Sequence, residues 1–136
     1  MKLNPIYLII DDDEDDIDFF HEAMREVNAS ALCHFAYDGE EALSLLRYKL
    51  KMLPDLIFLD LNMPRMDGIT CLRELKRDEK LRHIPVIINT TSAYQKEKED
   101  CLILGAAYFL TKATSFRNMC ENIIKVINIF SHSESS

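Results

Sequence analysis

Apolar residues fall along this chain in two alternating patterns: short uninterrupted runs, and longer stripes at helical spacing. The runs Ile6–Ile10, Leu32–Ala36, Leu56–Leu59, Val86–Ile88 and Ala106–Leu110 predict five strands. Between them, Ile17, Phe20, Met24 and Val27, widened by Phe19 and Ala23, predict a helix over residues 14–28. Ala42, Leu45 and Leu46 mark a second helix after the turn signal Tyr37-Asp38-Gly39, and Ile69, Leu72 and Leu75 a third over 69–78. A fourth is predicted over 94–104, stopped by Gly105 as a C-terminal cap. The last, over 115–130, carries Met119, Ile123, Val126, Ile127 and Phe130. Pro54 and Pro85 stand at the entrances of the third and fourth strands, where a missing amide costs no ladder bond.

Strands that are apolar throughout imply burial on both faces and a parallel sheet. Right-handed crossovers between them favour an α/β doubly wound architecture. Its binding site belongs at the carboxyl ends of the strands, where the strand order reverses. No repeat, linker or second domain is visible, so residues 1–130 read as one domain. Residues 131–136 read as a polar tail that frays.

Composition narrows the classes. The chain has 136 residues, enough for a real core. Its formal net charge is −7 and it has no dense Lys/Arg cluster, which argues against direct nucleic-acid binding. No apolar run has the length of a membrane span. The acids Asp11–Asp16 follow Ile6–Ile10 directly, a sequence foreign to a secretory signal, so a cytoplasmic location is expected. Cys33, Cys71, Cys101 and Cys120 are far apart and read as free thiols in or near the core. His21, His34, His83 and His132 lack ligand spacing and read as structural or surface residues.

The carboxyl ends of the strands gather the chemistry. Asp11 and Asp12 follow the first strand, Asp60 the third, Thr90 the fourth and Lys112 the fifth. Three carboxylates on one edge repel one another and raise one another's pKa. A hard divalent cation relieves this, and Mg²⁺ takes carboxylate and phosphate oxygens. Three carboxylates, one such ion and the Lys112 ammonium sum to zero charge, which lets a phosphoryl donor approach. A carboxylate is a competent covalent nucleophile, so the residues point to metal-dependent phosphorylation of an aspartate. Asp13 to Asp16 read as helix-start acids and solvated charge, with the alternative that one of them supports the metal through water.

The segments Ile9-Ile10-Asp11-Asp12-Asp13, Leu59-Asp60-Leu61-Asn62-Met63-Pro64-Arg65-Met66-Asp67-Gly68, Asn89-Thr90-Thr91-Ser92 and Tyr108-Phe109-Leu110-Thr111-Lys112 resemble the response-regulator receiver family, in order and spacing, over nearly the whole chain. The resemblance, to stand-alone receivers of the chemotaxis type, implies a flavodoxin-like (βα)5 fold with strand order 2-1-3-4-5. It makes Asp60 the phosphoacceptor, assisted by Thr90 and Lys112. Asp11, Asp12, Asp60 and the backbone carbonyl of Asn62 become ligands of Mg²⁺ or Mn²⁺, and Thr90 and Phe109 become the switch pair. The donor implied is a sensor histidine kinase or a histidine phosphotransfer protein. The output is a protein contact with an unknown downstream partner, through the fourth helix, fifth strand and fifth helix, a face that also suits a homodimer. Such a protein is not an enzyme beyond its own phosphorylation and dephosphorylation.

Two residues depart from the family pattern. Ala113 follows Lys112 where the family usually has proline, often cis; a cis bond before a non-proline costs about 2.5–4 kcal/mol, so trans is expected. Thr91 follows the switch threonine where alanine or glycine is common, and its bulk narrows access to Asp60. Asn62 and Ser92 occupy positions that tune phosphoryl lifetime in the family. Phe109 has a plain alternative as static core. Two other functions stay open. A metal-dependent phosphatase would need an acid two residues after Asp60, where Asn62 stands. A pseudo-receiver would keep the fold and bind partners without phosphorylation.

Overall fold

A computed structural model describes residues 4–91 and 94–131; the tuning position Ser92, His132 and the 132–136 part of the tail lie outside the described residues. Among the described residues five strands and five α-helices alternate: β1 (Ile6–Ile10), α1 (Glu14–Val27), β2 (Leu32–Ala36), α2 (Gly39–Ser44), β3 (Leu56–Leu59), α3 (Gly68–Arg77), β4 (Val86–Thr90), α4 (Gln95–Leu104), β5 (Tyr108–Thr111) and α5 (Phe116–Ser131). All strand pairs are parallel, in the order β2-β1-β3-β4-β5. This is the doubly wound architecture and strand order of the flavodoxin-like receiver fold.

Alternate residues of the central strands feed two cores. Leu8, Ile10, Ile57, Leu59, Val86 and Ile88 face one way and pack with Ala42, Leu72, Leu75 and Cys101 from α2, α3 and α4, and with Leu46 just after α2. Tyr7, Ile9, Leu56, Phe58 and Ile87 face the other way and pack with Phe20 and Met24 of α1 and Ile123 and Val126 of α5. Covering both faces explains why β1, β3 and β4 are buried along their whole length. The edge strands β2 and β5 are partly exposed, so the expectation of two-faced burial holds for the centre and relaxes at the edges. Each fully buried large aliphatic side chain contributes about 1.5–3 kcal/mol.

Polar residues set the helix starts. The carboxylates of Asp13, Asp38 and Asp67 accept the free amides at the N-termini of α1, α2 and α3, and the Ser115 hydroxyl accepts the Asn118 amide at the start of α5. Gly105 ends α4 at φ 111°, a left-handed cap. Several boundaries differ from the sequence expectation, and β4 runs on to Thr90 where a strand over Val86–Ile88 was expected. β5 begins at Tyr108, not Ala106, because the Ala106 amide bonds the Cys101 carbonyl and closes α4. The second helix continues as a π-helical turn, Leu45–Lys49, which turns Leu46 into the core while Tyr48 stays 82% exposed.

Two further expectations hold. All four cysteines are free, with Cys71 and Cys101 fully buried. The Lys112–Ala113 peptide is trans.

Gly68 fixes the loop after β3. A Cβ there would collide with the Asp60 carbonyl oxygen and lie 2.5 Å from the Leu61 Cα. Both obstacles are backbone, so neither can swing aside. Gly68→Ala is therefore expected to destabilise the chain by about 1–3 kcal/mol, read as a lowered urea midpoint. An unchanged midpoint would show that the loop relaxes freely.

Candidate functional site

The parallel sheet delivers its acidic residues to one edge. Asp11 follows β1 directly, Asp60 follows β3, Thr90 ends β4 and Lys112 follows β5. Register holds them level: Ile10 pairs with Leu59, Leu59 with Ile88, and Thr90 with Thr111. The turns are pinned as well. The Asp60 amide bonds the Ile10 carbonyl at 2.9 Å, the Lys112 amide bonds the Thr90 carbonyl at 2.7 Å, and the Gly68 amide closes its loop on the Leu61 carbonyl.

Carboxylate oxygens of Asp11, Asp12 and Asp60 all lie within 4.8 Å of one another. Asp11 and Asp60 are buried and Asp12 is exposed, so the cluster opens to solvent on one side. The Lys112 Nζ lies 2.8 Å from Asp11 Oδ2 and 3.5 Å from Asp60 Oδ2. Residues more than ninety positions apart thus meet as one anionic pocket with a single ammonium inside it.

Electrostatics follow from burial. Desolvation pushes the Asp11 carboxyl up to about 6, although hydrogen bonds from Lys112 and the Asp13 amide and the lysine's charge pull it back. Asp60 is likewise raised by burial, against the charge of Lys112, the Asn62 amide and hydrogen bonds from Lys112 and Thr90. Burial pulls the Lys112 ammonium down, but hydrogen bonds to Asp11 and Asp16 and the charges of Asp11 and Asp60 outweigh it, so its pKa is raised. One ammonium does not compensate the carboxylates. Three hard oxygen donors lacking positive charge are the donor set for a divalent cation. The residues present fit such an ion, and Asp11, Asp12 and Asp60 are the ones that can hold it.

The other predicted residues surround this cluster. Thr90 is fully buried, with its hydroxyl oxygen 3.5 Å from the Asn62 Nδ2. The Asn62 amide reaches back toward Asp60 Oδ1 at 3.4 Å. Phe109 is half-buried and packs against the core on the side of α2, α3 and α4. Thr91 is exposed and lines, with Ile9, Phe20, Asn89, Lys112 and Met119, a cleft of about 470 Å³ between α1 and the loop after β5.

One residue escaped the sequence reading. Asp13 caps α1, and Asp16 in its first turn reaches across to the end of β5, where its Oδ2 accepts a 2.8 Å hydrogen bond from the Lys112 Nζ. Its sequence mark is slight: it is one of three acids, Glu14, Asp15 and Asp16, in the first turn of α1.

A doubly wound parallel sheet with acids, a buried threonine and a lysine converging at the carboxyl ends of its strands defines the class of phosphoacceptor signalling domains. The family model for the response regulator receiver domain matches residues 7–124, and the chain belongs to that family. Among its relatives, the polar-differentiation response regulator DivK of Brucella ovis is 31% identical over 116 residues, covering 85% of this chain and 90% of DivK. The response regulator PleD of Caulobacter vibrioides is 44% identical over 77 residues, 57% of this chain but only 16% of PleD's length. The crystal structure of the phosphorylated cyanobacterial phytochrome response regulator RcpA superposes with a TM-score of 0.86, at 26% identity and 96% coverage of each chain. The Mn²⁺-bound response regulator Rcp1, known in Synechocystis, superposes with a TM-score of 0.80, at 25% identity, covering 90% of this chain and 91% of Rcp1.

Mass action turns the cluster into a stability test. Mg²⁺ at a hundredfold its dissociation constant is expected to add about 2.7 kcal/mol to the wild-type chain, and less at the same concentration to Asp12→Ala. Asp60→Asn is expected to raise the urea midpoint of the metal-free chain, because burial disfavours the ionised carboxylate it removes. A midpoint indifferent to Mg²⁺ in the wild type would contradict the assignment of these ligands.

Proposed function

We propose that this chain accepts a phosphoryl group on Asp60, from a sensor histidine kinase or a histidine phosphotransfer protein, and signals through contacts that depend on that modification. The observation that supports this most is the Lys112 ammonium reaching both Asp11 and Asp60 beside a three-carboxylate cluster. A carboxylate oxygen of Asp60 attacks phosphorus, the bond from phosphorus to the donor's leaving group breaks, and an acyl phosphate remains. Asp60 is the nucleophile. Lys112 supplies fixed positive charge for the incoming phosphoryl oxygens. Thr90, buried beside Asp60, offers its hydroxyl to the same group. Asp11, Asp12, Asp60 and the Asn62 carbonyl would hold the metal ion. When bound, Mg²⁺ neutralises charge on the transferring group, and Mn²⁺ can stand in for it.

Output follows from the position of Thr90. Drawing its hydroxyl toward a phosphoryl group opens room on the side where half-buried Phe109 packs. Beside that ring, α4 buries only Cys101 and leaves Ile103 82% exposed. A thinly anchored helix with outward apolar residues suits a partner surface that changes on activation. No helix among the described residues is long and apolar enough to cross a membrane. We place the chain in the cytoplasm, where phosphohistidine donors of this class work.

With acetyl phosphate and Mg²⁺, the wild-type chain is expected to gain one phosphoryl group by intact mass, and chelation to prevent it. Asp60→Asn should gain none, and Lys112→Met should be slowed about 10²-fold, the usual effect of losing one preorganised electrostatic group. Equal labelling of Asp60→Asn and wild type would defeat the reading.

A further inference from the structure

The Lys112 ammonium makes three contacts with acids. Those to Asp11 and Asp16 are both 2.8 Å, within ideal hydrogen-bond range, whereas Asp60 stands off at 3.5 Å. Asp11 belongs to the three-carboxylate cluster and Asp60 is the phosphoacceptor in the reading above. Asp16 lies outside that cluster, so its bond to Lys112 serves no ligand role. Nor is that contact casual. The Asp11 carboxylate accepts the Asp13 amide at 3.0 Å, and the Asp13 carboxylate accepts the amides of Asp15 and Asp16 at 2.9 and 3.2 Å. The turn from β1 into α1 is thereby fixed, and with it the placement of Asp16 against the end of β5.

We propose that Asp16 is a positioning residue that holds Lys112 back from Asp60 and so restrains phosphorylation. The proposal rests on Asp60 being the phosphoacceptor. For Lys112 to grip phosphoryl oxygens on Asp60 it must close the longer gap, and the bond to Asp16 is the one it can give up without uncovering a metal ligand. Charge acts in the same direction. Asp16 adds a further negative group beside a site that has to admit an anionic donor. Removing its charge frees the lysine and lowers the repulsion together.

Asp16→Asn is nearly isosteric, and the Asp13 cap stays in place, so the fold is expected to survive. Because the Asp16 side chain is 42% exposed, the restraint is modest. Labelling by acetyl phosphate with Mg²⁺ should be about two- to fivefold faster in Asp16→Asn than in wild type, the change in rate that corresponds to an exposed ion pair. Asp18→Asn makes the same charge change at an exposed position further along α1 and should leave the rate closer to wild type. A second readout needs neither metal nor donor. The hydrogen-bonded Lys112 ammonium should give a slowly exchanging ¹H–¹⁵N resonance in metal-free wild type, assigned by its loss in Lys112→Met. That resonance should shift or broaden in Asp16→Asn but not in Asp18→Asn. A labelling rate in Asp16→Asn equal to or below wild type, equal acceleration by Asp18→Asn, or an unchanged Lys112 resonance would each overturn the proposal. Absence of labelling in wild type would instead overturn the phosphoacceptor reading and this restraint with it, while the resonance still reports whether the two side chains pair.

Discussion

The site depends on a shortage of positive charge. Buried carboxylates of Asp11 and Asp60 share one ammonium, that of Lys112, and burial holds both acids above the ordinary carboxylate range. Proteins rarely leave charges of one sign so close together unless another ion completes the arrangement. The same crowding makes the edge responsive. A cation or a proton arriving there would relieve that crowding, and Thr90 stands close by, fully buried.

Holding such a cluster together requires a stiff frame. The parallel register sets the ends of β1, β3, β4 and β5 side by side, and two cores clamp the central strands from both faces. The backbone of the loop after β3 passes so close to Gly68 that no side chain fits there. The lightly anchored parts lie away from that frame. The helix α4 contributes one buried residue, and β5 is a half-exposed edge strand. Rigid acids on one side and a lightly held face on the other suit the switching proposed for this chain.

Most of this was legible in the sequence because it depends on strand ends. An apolar run followed by Asp11, Asp60 or Lys112 places each residue on the same edge once the sheet is parallel. The Asp60-to-Gly68 segment was legible through its resemblance to the receiver family, whereas the close backbone approach at Gly68 is visible only in the fold. Asp16 was hidden because its partner is 96 residues away, and a first-turn acid already has a sufficient local explanation in the helix dipole. The π-helical turn at Leu45–Lys49 was hidden because Leu45 and Leu46 fit an ordinary helical stripe equally well. The start of β5 was misplaced because Ala106 and Ala107 extend the apolar run, while their amides belong to the end of α4 and to the Val86 carbonyl.

The central claim is that Asp11, Asp12 and Asp60 form one cation site completed by Lys112. The most direct measurement is a crystal structure of the chain grown with Mn²⁺, read by anomalous scattering. The account predicts a single strong peak in contact with oxygens from all three aspartates, with the Lys112 ammonium beside Asp60 and not on the ion. A peak held by Asp12 and the exposed acids of α1 alone, with Asp60 turned away from it, would contradict the account.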